Sequence, residues 1–249
     1  PCIRPGASEM TAVSSSLRLL NAGWLLAGPA RALWAKKPDA GAQLGRALER
    51  LGPAYIKLGQ MLATRPDIVG AEIAEALEHL QDRLPPFSEK EARAEIVRAF
   101  DKPVEALFSS FGGALAAASI AQVHRAQTSD SPPVRVAVKI LRPHVREQFI
   151  RDLDALAFFA RTAERFSAEA RRLRLVAVVA TLAQSVALEL DLRMEAAAAS
   201  ELYERTRGEA EFRVPHIDWT RTAANVLTSE WIDGISIRDS AAIAAAGRD

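Results

Sequence analysis

Lys139 is the residue around which this sequence gathers chemistry. It closes Val136-Ala137-Val138-Lys139, an apolar alternation that reads as a β-strand with one buried face. An ammonium carried on such a strand is a fixed point charge for phosphate oxygens. Sixteen residues before it, Val123 ends the run Ala116-Ala117-Ala118-Ser119-Ile120-Ala121-Gln122-Val123. A hairpin of such small residues lets backbone N–H groups approach phosphate closely. Alanine disfavours positive φ, so this loop is stiffer than a glycine-rich one. Taken separately, an alanine run also suits plain packing and a strand-end lysine also suits a solvated edge. The pair at this spacing points to a bound polyphosphate.

Three further strings could serve the same site. Glu189-Leu190-Asp191-Leu192-Arg193-Met194-Glu195 follows the apolar run Leu175–Leu188. On one long helix, Asp191 and Glu195 are four apart and share a face, while Glu189 points elsewhere. One carboxylate could pair with Lys139 and another hold a separate cation; a solvated helix face is the plain alternative. Lys57-Leu58-Gly59-Gln60 follows Gly52-Pro53, with Lys57 and Gln60 on one helical face and Gly59 open to close backbone approach. Val226 to Gly234 is an apolar strand ending in Glu230-Trp231-Ile232-Asp233-Gly234. It resembles a kinase hinge, where backbone groups meet adenine, and equally an edge strand followed by a turn.

The elements that must hold these residues can be read from periodicity. Leu44 to Phe100 is helical, broken at Gly52-Pro53 and Leu84-Pro85-Pro86, and Ser88 with Glu91 forms a capping box. Short strands follow at Ala114–Ser119, Ile120–Gln127 and Arg135–Leu141. Helices resume over Val145–Phe166 and Leu173–Arg205, and two strands, Arg213–Ile217 and Val226–Ile232, close the order. The composition fits a folded α+β protein: 249 residues, 49% hydrophobic and 25% charged. Thirty-two basic against 31 acidic side chains leave a net charge of +1, which argues against a dedicated nucleic-acid binder. The one cysteine, Cys2, excludes an internal disulfide and suits a reducing compartment. No apolar stretch reaches the roughly 18 residues of a membrane span. Residues 1–50 hold 7 basic and 3 acidic side chains besides Trp24 and Trp34, so this part either lies on an anionic membrane or packs on its own domain. His79, His124, His144 and His216 lack metal-ligand spacing, and no metal site is expected.

In this order, the motifs resemble the UbiB family of atypical protein-kinase-like proteins, whose bacterial namesake supports ubiquinone biosynthesis. The likeness runs over roughly residues 45 to 240 and rests on Gly52-Pro53 through Lys57-Leu58-Gly59-Gln60-Met61-Leu62, Leu80 to Pro86, Ala116–His124, Val136–Pro143, Glu189–Glu195 and Val226–Gly234. It implies a kinase-like small lobe, an antiparallel sheet with long helices, preceded by a helical extension. Residues 1–42 would be a partly ordered segment, 43–107 the extension, and 108–249 the lobe. It implies that Ala116, Ala117, Ala118, Ser119, Ala121, Val123, Lys139, Glu195, Glu230 and Ile232 surround ATP or ADP. It also implies a regulatory pairing of Lys57 and Gln60 with Glu189 and Asp191. Three departures stand out: Glu195-Ala196-Ala197-Ala198 where the family often has Glu-Ala-x-Asn, Ser229 before the hinge glutamate, and Ala121 where the loop usually keeps a glycine. No catalytic-loop or metal-binding aspartate is recognisable. His216-Ile217-Asp218 precedes the hinge and lacks the later asparagine, and Phe111-Gly112 follows a serine. The expectation is therefore an N-terminal portion without the larger lobe, with no catalytic residue of its own, and with Mg²⁺ bound only when that lobe is present. Implied partners are a nucleotide, an isoprenoid quinone precursor or a membrane surface, and other quinone-biosynthesis proteins; the implied location is cytoplasmic, peripheral on the inner membrane. The alternative is a non-catalytic scaffold of the same fold that binds a lipid or a partner. An ordinary protein kinase fits poorly with Lys57–Gln60 and the alanine loop.

Overall fold

The computed structural model describes residues 25–247 except 26, 30, 33, 34, 36, 38, 79, 81–84, 210 and 236–239. Trp24, Trp34, His79 and most of the 1–42 and Leu80–Pro86 segments therefore lie outside the described residues. From residue 40 the order is α1 (Ala40–Leu51), α2 (Pro53–Ala63), α3 (Pro66–Val69), α4 (Ala71–Glu78), α5 (Glu89–Phe100) and α6 (Val104–Leu107). Three strands follow, β1 (Phe108–Ala117), β2 (Ala121–Thr128) and β3 (Arg135–Leu141). Then come α7 (Val145–Phe166), α8 (Ala168–Leu173), α9 (Leu175–Glu189), α10 (Leu192–Arg205), a 3-10 turn at Trp219–Arg221, β4 (Val226–Glu230) and α11 (Ser240–Ala245).

These elements form two compact units of interleaved sequence. One draws on the described residues of 1–86, 117–121 and 141–190, the other on those of 87–116, 122–140 and 191–249. Helix α5, which the sequence alone groups with the helical extension, thus belongs with the sheet, while α7 to α9 belong with the first helices. The physical reason is which apolar face each helix can bury: Ala92 and Ile96 of α5 share one apolar cluster with Val136, Val138 and Ile140 of β3.

The helical unit packs α1, α2 and α4 against one another, and α7 against α2, α8 and α9. Leu48, Ile56, Leu77, Phe149, Leu182 and Val186 lie in its interior. Gly52 both ends α1 and starts α2, at φ 115°. Only glycine adopts that backbone without strain, and Pro53 then supplies a preset first helical residue. Gly52→Ala is expected to lose about 1–2 kcal/mol of stability by urea unfolding, because its Cβ would occupy a conformation closed to L-residues.

The second unit is the sheet in the order β1-β2-β3-β4, with β3 and β4 antiparallel. Strand β3 alternates as its sequence demands: Val136, Val138 and Ile140 are buried, while Ala137 and Lys139 lie on the other face, half-buried. The Ser88–Glu91 capping box starts α5, with Glu91 N–H on Ser88 Oγ and Ser88 N–H on Glu91 Oε2. β1 begins earlier than the sequence suggests, at Phe108, whose ring joins the same apolar cluster. The stretch Arg213–Ile217 forms only a single bridge, Ile217 to Ser229, instead of a strand. Pro215 has no N–H to give a ladder.

The expected long helix over Leu173–Arg205 is broken twice. Arg174 takes a left-handed conformation between α8 and α9. Leu190 and Asp191 separate α9 from α10, and Asp191 is extended and caps α10 by accepting from Arg193 N–H at 3.1 Å. The Leu190 carbonyl at the end of α9 accepts from Arg146 at 2.6 Å. Both helix ends therefore find partners in the break, which a continuous helix would not need.

Candidate functional site

Strand register fixes the position of Lys139, opposite Leu227 of β4. Its ammonium reaches both carboxylate oxygens of Glu195, at 2.9 and 2.7 Å. Glu195 stands in the first turn of α10, where a carboxylate also meets the positive end of the helix dipole. The helix is seated by Leu192 and Ala196, both buried beneath it. Side-chain exposures of 30% and 49% leave this pair accessible to solvent and to a ligand. An exposed pair of this kind contributes about 0–1 kcal/mol, so its value lies in aiming the ammonium.

Asp191 does not share a helix face with Glu195, contrary to the spacing argument. It is the cap residue itself and pairs with Arg193, at 2.6 Å between Arg193 Nη2 and Asp191 Oδ2. Its neighbour Glu189 ends α9 and meets Lys57 of α2 at 2.8 Å within the helical unit. Two residues of the expected regulatory set are thus brought together. Gln60 is half-buried on α2, and a side chain at Gly59 would collide with Leu48 and Leu80.

The alanine-rich turn spans the gap between β1 and β2. Ala118 N–H bonds the Ala121 carbonyl at 2.8 Å, closing the turn on itself. Arg142 holds it from outside, donating to the Ala118 carbonyl from Nε at 3.0 Å and Nη2 at 2.9 Å, and to the Pro85 carbonyl at 2.9 Å. Burial pushes the Arg142 guanidinium below its ordinary value. The N–H of Ala118 is therefore committed within the loop. Ala116 and Ala118 are exposed, Ala117 and Val123 half-buried, and Ser119 and Ala121 buried.

In the hinge-like segment, Glu230 N–H bonds the His216 carbonyl at 2.8 Å and Trp231 N–H the Arg135 carbonyl at 3.1 Å. The Glu230 carboxylate pairs with Arg213, and Ile232 is half-buried beyond the end of β4. Tyr203, Arg207, Arg213, His216 and Glu230 line a cavity of about 430 Å³ at this end of the unit. Among the described residues, no group of three or more His, Cys, Asp or Glu side chains gathers to hold a metal. No single described helix is long and apolar enough to cross a membrane.

Periodicity alone could not expose the polar clusters that brace the site. Arg221 is buried and donates to Asp218 at 2.7 Å, Asp130 at 2.9 Å and the Leu107 carbonyl at 2.8 Å. Burial lowers its basicity, but the bonds to Asp130 and Asp218 outweigh that and hold it above the usual arginine value. The Asp218 of the string His216-Ile217-Asp218 is thus occupied as a cap and an ion-pair partner. The only advance signal for Gln122 and His124 was two polar residues on the inward side of β2. His124 Nδ1 lies 2.8 Å from the Gly112 carbonyl, which can only accept, so that nitrogen carries the hydrogen. Gln122 accepts from Phe87 N–H and donates to His124 Nε2.

Burial pushes the His124 pKa down more than the Gly112 carbonyl and the Glu89 charge raise it. The unfolded chain, with an ordinary histidine near about 6.5, binds the proton more readily than the fold does. Stability is accordingly full above that value and falls as the pH drops through it toward the lower folded value. Urea unfolding at stepped pH is expected to show this loss, and His124→Gln to flatten it.

A four-stranded sheet carrying a lysine on its third strand, held by a glutamate from a helix packed against it, defines the small lobe of a kinase-like fold. Residues 79–249 match the profile of the ABC1 atypical kinase-like domain, and the chain belongs to that family. Relatives called "Probable protein kinase UbiB" share the sequence. The one from Marinobacter nauticus is 40% identical over 212 residues, covering 85% of this chain and 38% of that protein. The one from Xanthomonas oryzae pv. oryzae is 42% identical over 213 residues, covering 84% and 38%. The one from Azotobacter vinelandii is 42% identical over 208 residues, covering 83% and 38%. The chain thus spans 38% of the length of these curated relatives. Among solved structures, the Rv3197 protein of Mycobacterium tuberculosis, determined in complex with erythromycin, superposes with a TM-score of 0.57 at 29% identity, covering 84% of this chain and 52% of that one.

Proposed function

We propose that this chain supplies the nucleotide-holding portion of an ATP-binding atypical kinase or ATPase that serves isoprenoid quinone biosynthesis. The observation that carries this reading is Lys139 Nζ, in the middle of β3, held by both Glu195 oxygens. In that role Glu195 keeps the ammonium aimed, and the ammonium neutralises the α- and β-phosphates of ATP or ADP. The family resemblance implies that Ala116–Ala121 meet the phosphates. Because the Glu230 N–H is already bonded to His216, the base edge is left to the Glu230 carbonyl and the Ile232 backbone. The family resemblance implies a regulatory role for Lys57 and Glu189, which are joined across two helices. Mg²⁺ would enter with the rest of a longer protein. The relatives called "Probable protein kinase UbiB" support the kinase-like reading, and the pathway is what the UbiB resemblance implies.

The test is a melting titration of the full chain with ATP and with ADP. Nucleotide binding to the folded state raises the melting temperature with ligand concentration. A melting temperature that stays constant at saturating nucleotide overturns the proposal and favours the scaffold alternative.

A further inference from the structure

Glu95 has no part in the motifs above, yet it is a buried carboxylate, only 4% exposed, between the fully buried Ala92 and Ile96 of α5. One oxygen pairs with Arg98 at the surface, and the other accepts from Asn225 Nδ2 at 3.0 Å. Asn225 belongs to the tight turn that opens β4, closed by Ala223 N–H on the Val226 carbonyl at 2.7 Å and by the reciprocal bond at 3.3 Å. The carbonyl of Ala224, in the same turn, accepts from Leu192 N–H at 2.9 Å. That N–H is the first of α10 and has no partner within its own helix. Three residues on, Glu195 grips Lys139.

We infer that Glu95 is a positioning residue for the nucleotide lysine, acting through Asn225, the Ala224 carbonyl and the start of α10. The inference rests on the nucleotide-holding role proposed above for Lys139. The first turn of α10 could tilt about the short Leu190–Asp191 break, and any tilt moves Glu195 relative to a strand that cannot follow. A turn locked onto α5, whose Ala92 and Ile96 are fixed in the same apolar cluster as Val138, Ile140 and Val226, removes that freedom. The carboxylate at 95 thereby ties the helix that bears Glu195 to the core that bears Lys139. Glutamine at 95 keeps an oxygen for Asn225, whereas alanine leaves the Asn225 amide without its acceptor.

Two measurements on the full chain test this. Hydrogen exchange at the Leu192 amide is expected to quicken about tenfold or more in Glu95→Ala and in Asn225→Ala, and to stay near wild type in Glu95→Gln. Nucleotide affinity is expected to fall about tenfold in Glu95→Ala, with no further loss when Glu95→Ala is added to Glu195→Gln. Unchanged exchange at Leu192 in Glu95→Ala overturns the inference, as do losses that simply add in the double variant. If Glu95→Ala fails to fold, Asn225→Ala carries both measurements. If the wild-type chain binds no nucleotide, the function proposed above fails, while the exchange measurement still decides whether Glu95 governs the start of α10.

Discussion

Lys139→Ala is expected to weaken ATP and ADP binding by about 10- to 100-fold while leaving the nucleotide-free protein nearly as stable as wild type. The two halves of that expectation have separate causes. A charged hydrogen bond to phosphate is worth about 1.5–3 kcal/mol, which converts to that range of affinity. The Lys139–Glu195 pair is itself partly solvated, with 30% and 49% of the side chains exposed, so breaking it costs about 1 kcal/mol at most. The check is a pair of titrations by calorimetry, with urea unfolding of both proteins in the absence of ligand. Equal affinity in the two proteins would remove Lys139 from the site. A large loss of apo stability would show the pair to be structural instead.

Ile140→Ala, one residue further on, is expected to do the reverse. Its side chain is fully buried on the opposite face of β3, in the cluster with Ile96, Val138 and Val226. Truncating a buried isoleucine to alanine loses the transfer energy of three carbons and leaves a void, about 2–5 kcal/mol in all. Urea unfolding followed by circular dichroism reads the loss directly. Nucleotide affinity of the fraction that stays folded is expected to change little, because Ile140 faces away from Lys139. The adjacent substitutions thus separate the two faces of one strand, and an Ile140→Ala protein as stable as wild type would contradict the burial that the fold assigns.

Much of this architecture was legible beforehand, for physical reasons that can be traced residue by residue. Strand β3 was readable because period-two alternation of Val136, Val138 and Ile140 is a local consequence of the pleat. The capping box at Ser88 and Glu91 was readable because both partners lie within four residues. The pairing of Lys139 with Glu195 is implied only by the family resemblance and by no local pattern, since 56 residues separate the two side chains. The helix break at Leu190–Asp191 is not legible locally. The apolar run before it and the alanines after it both favour helix, and the local pattern gives no sign that the Leu190 carbonyl finds Arg146 or that Leu192 N–H finds Ala224.

The chain by itself determined which residue types could meet a phosphate, where small residues make a tight hairpin, and the α+β order of elements. Those properties reside in side-chain chemistry and in spacings shorter than a few turns. Only the tertiary structure decided that Asp191 caps a helix while Glu195 faces a lysine, that Arg142 holds the alanine turn from outside, and that Glu95 meets Asn225. Such assignments depend on buried polar groups finding partners far away in sequence, because an unpaired one would cost about 1–3 kcal/mol, and no local pattern names the partner.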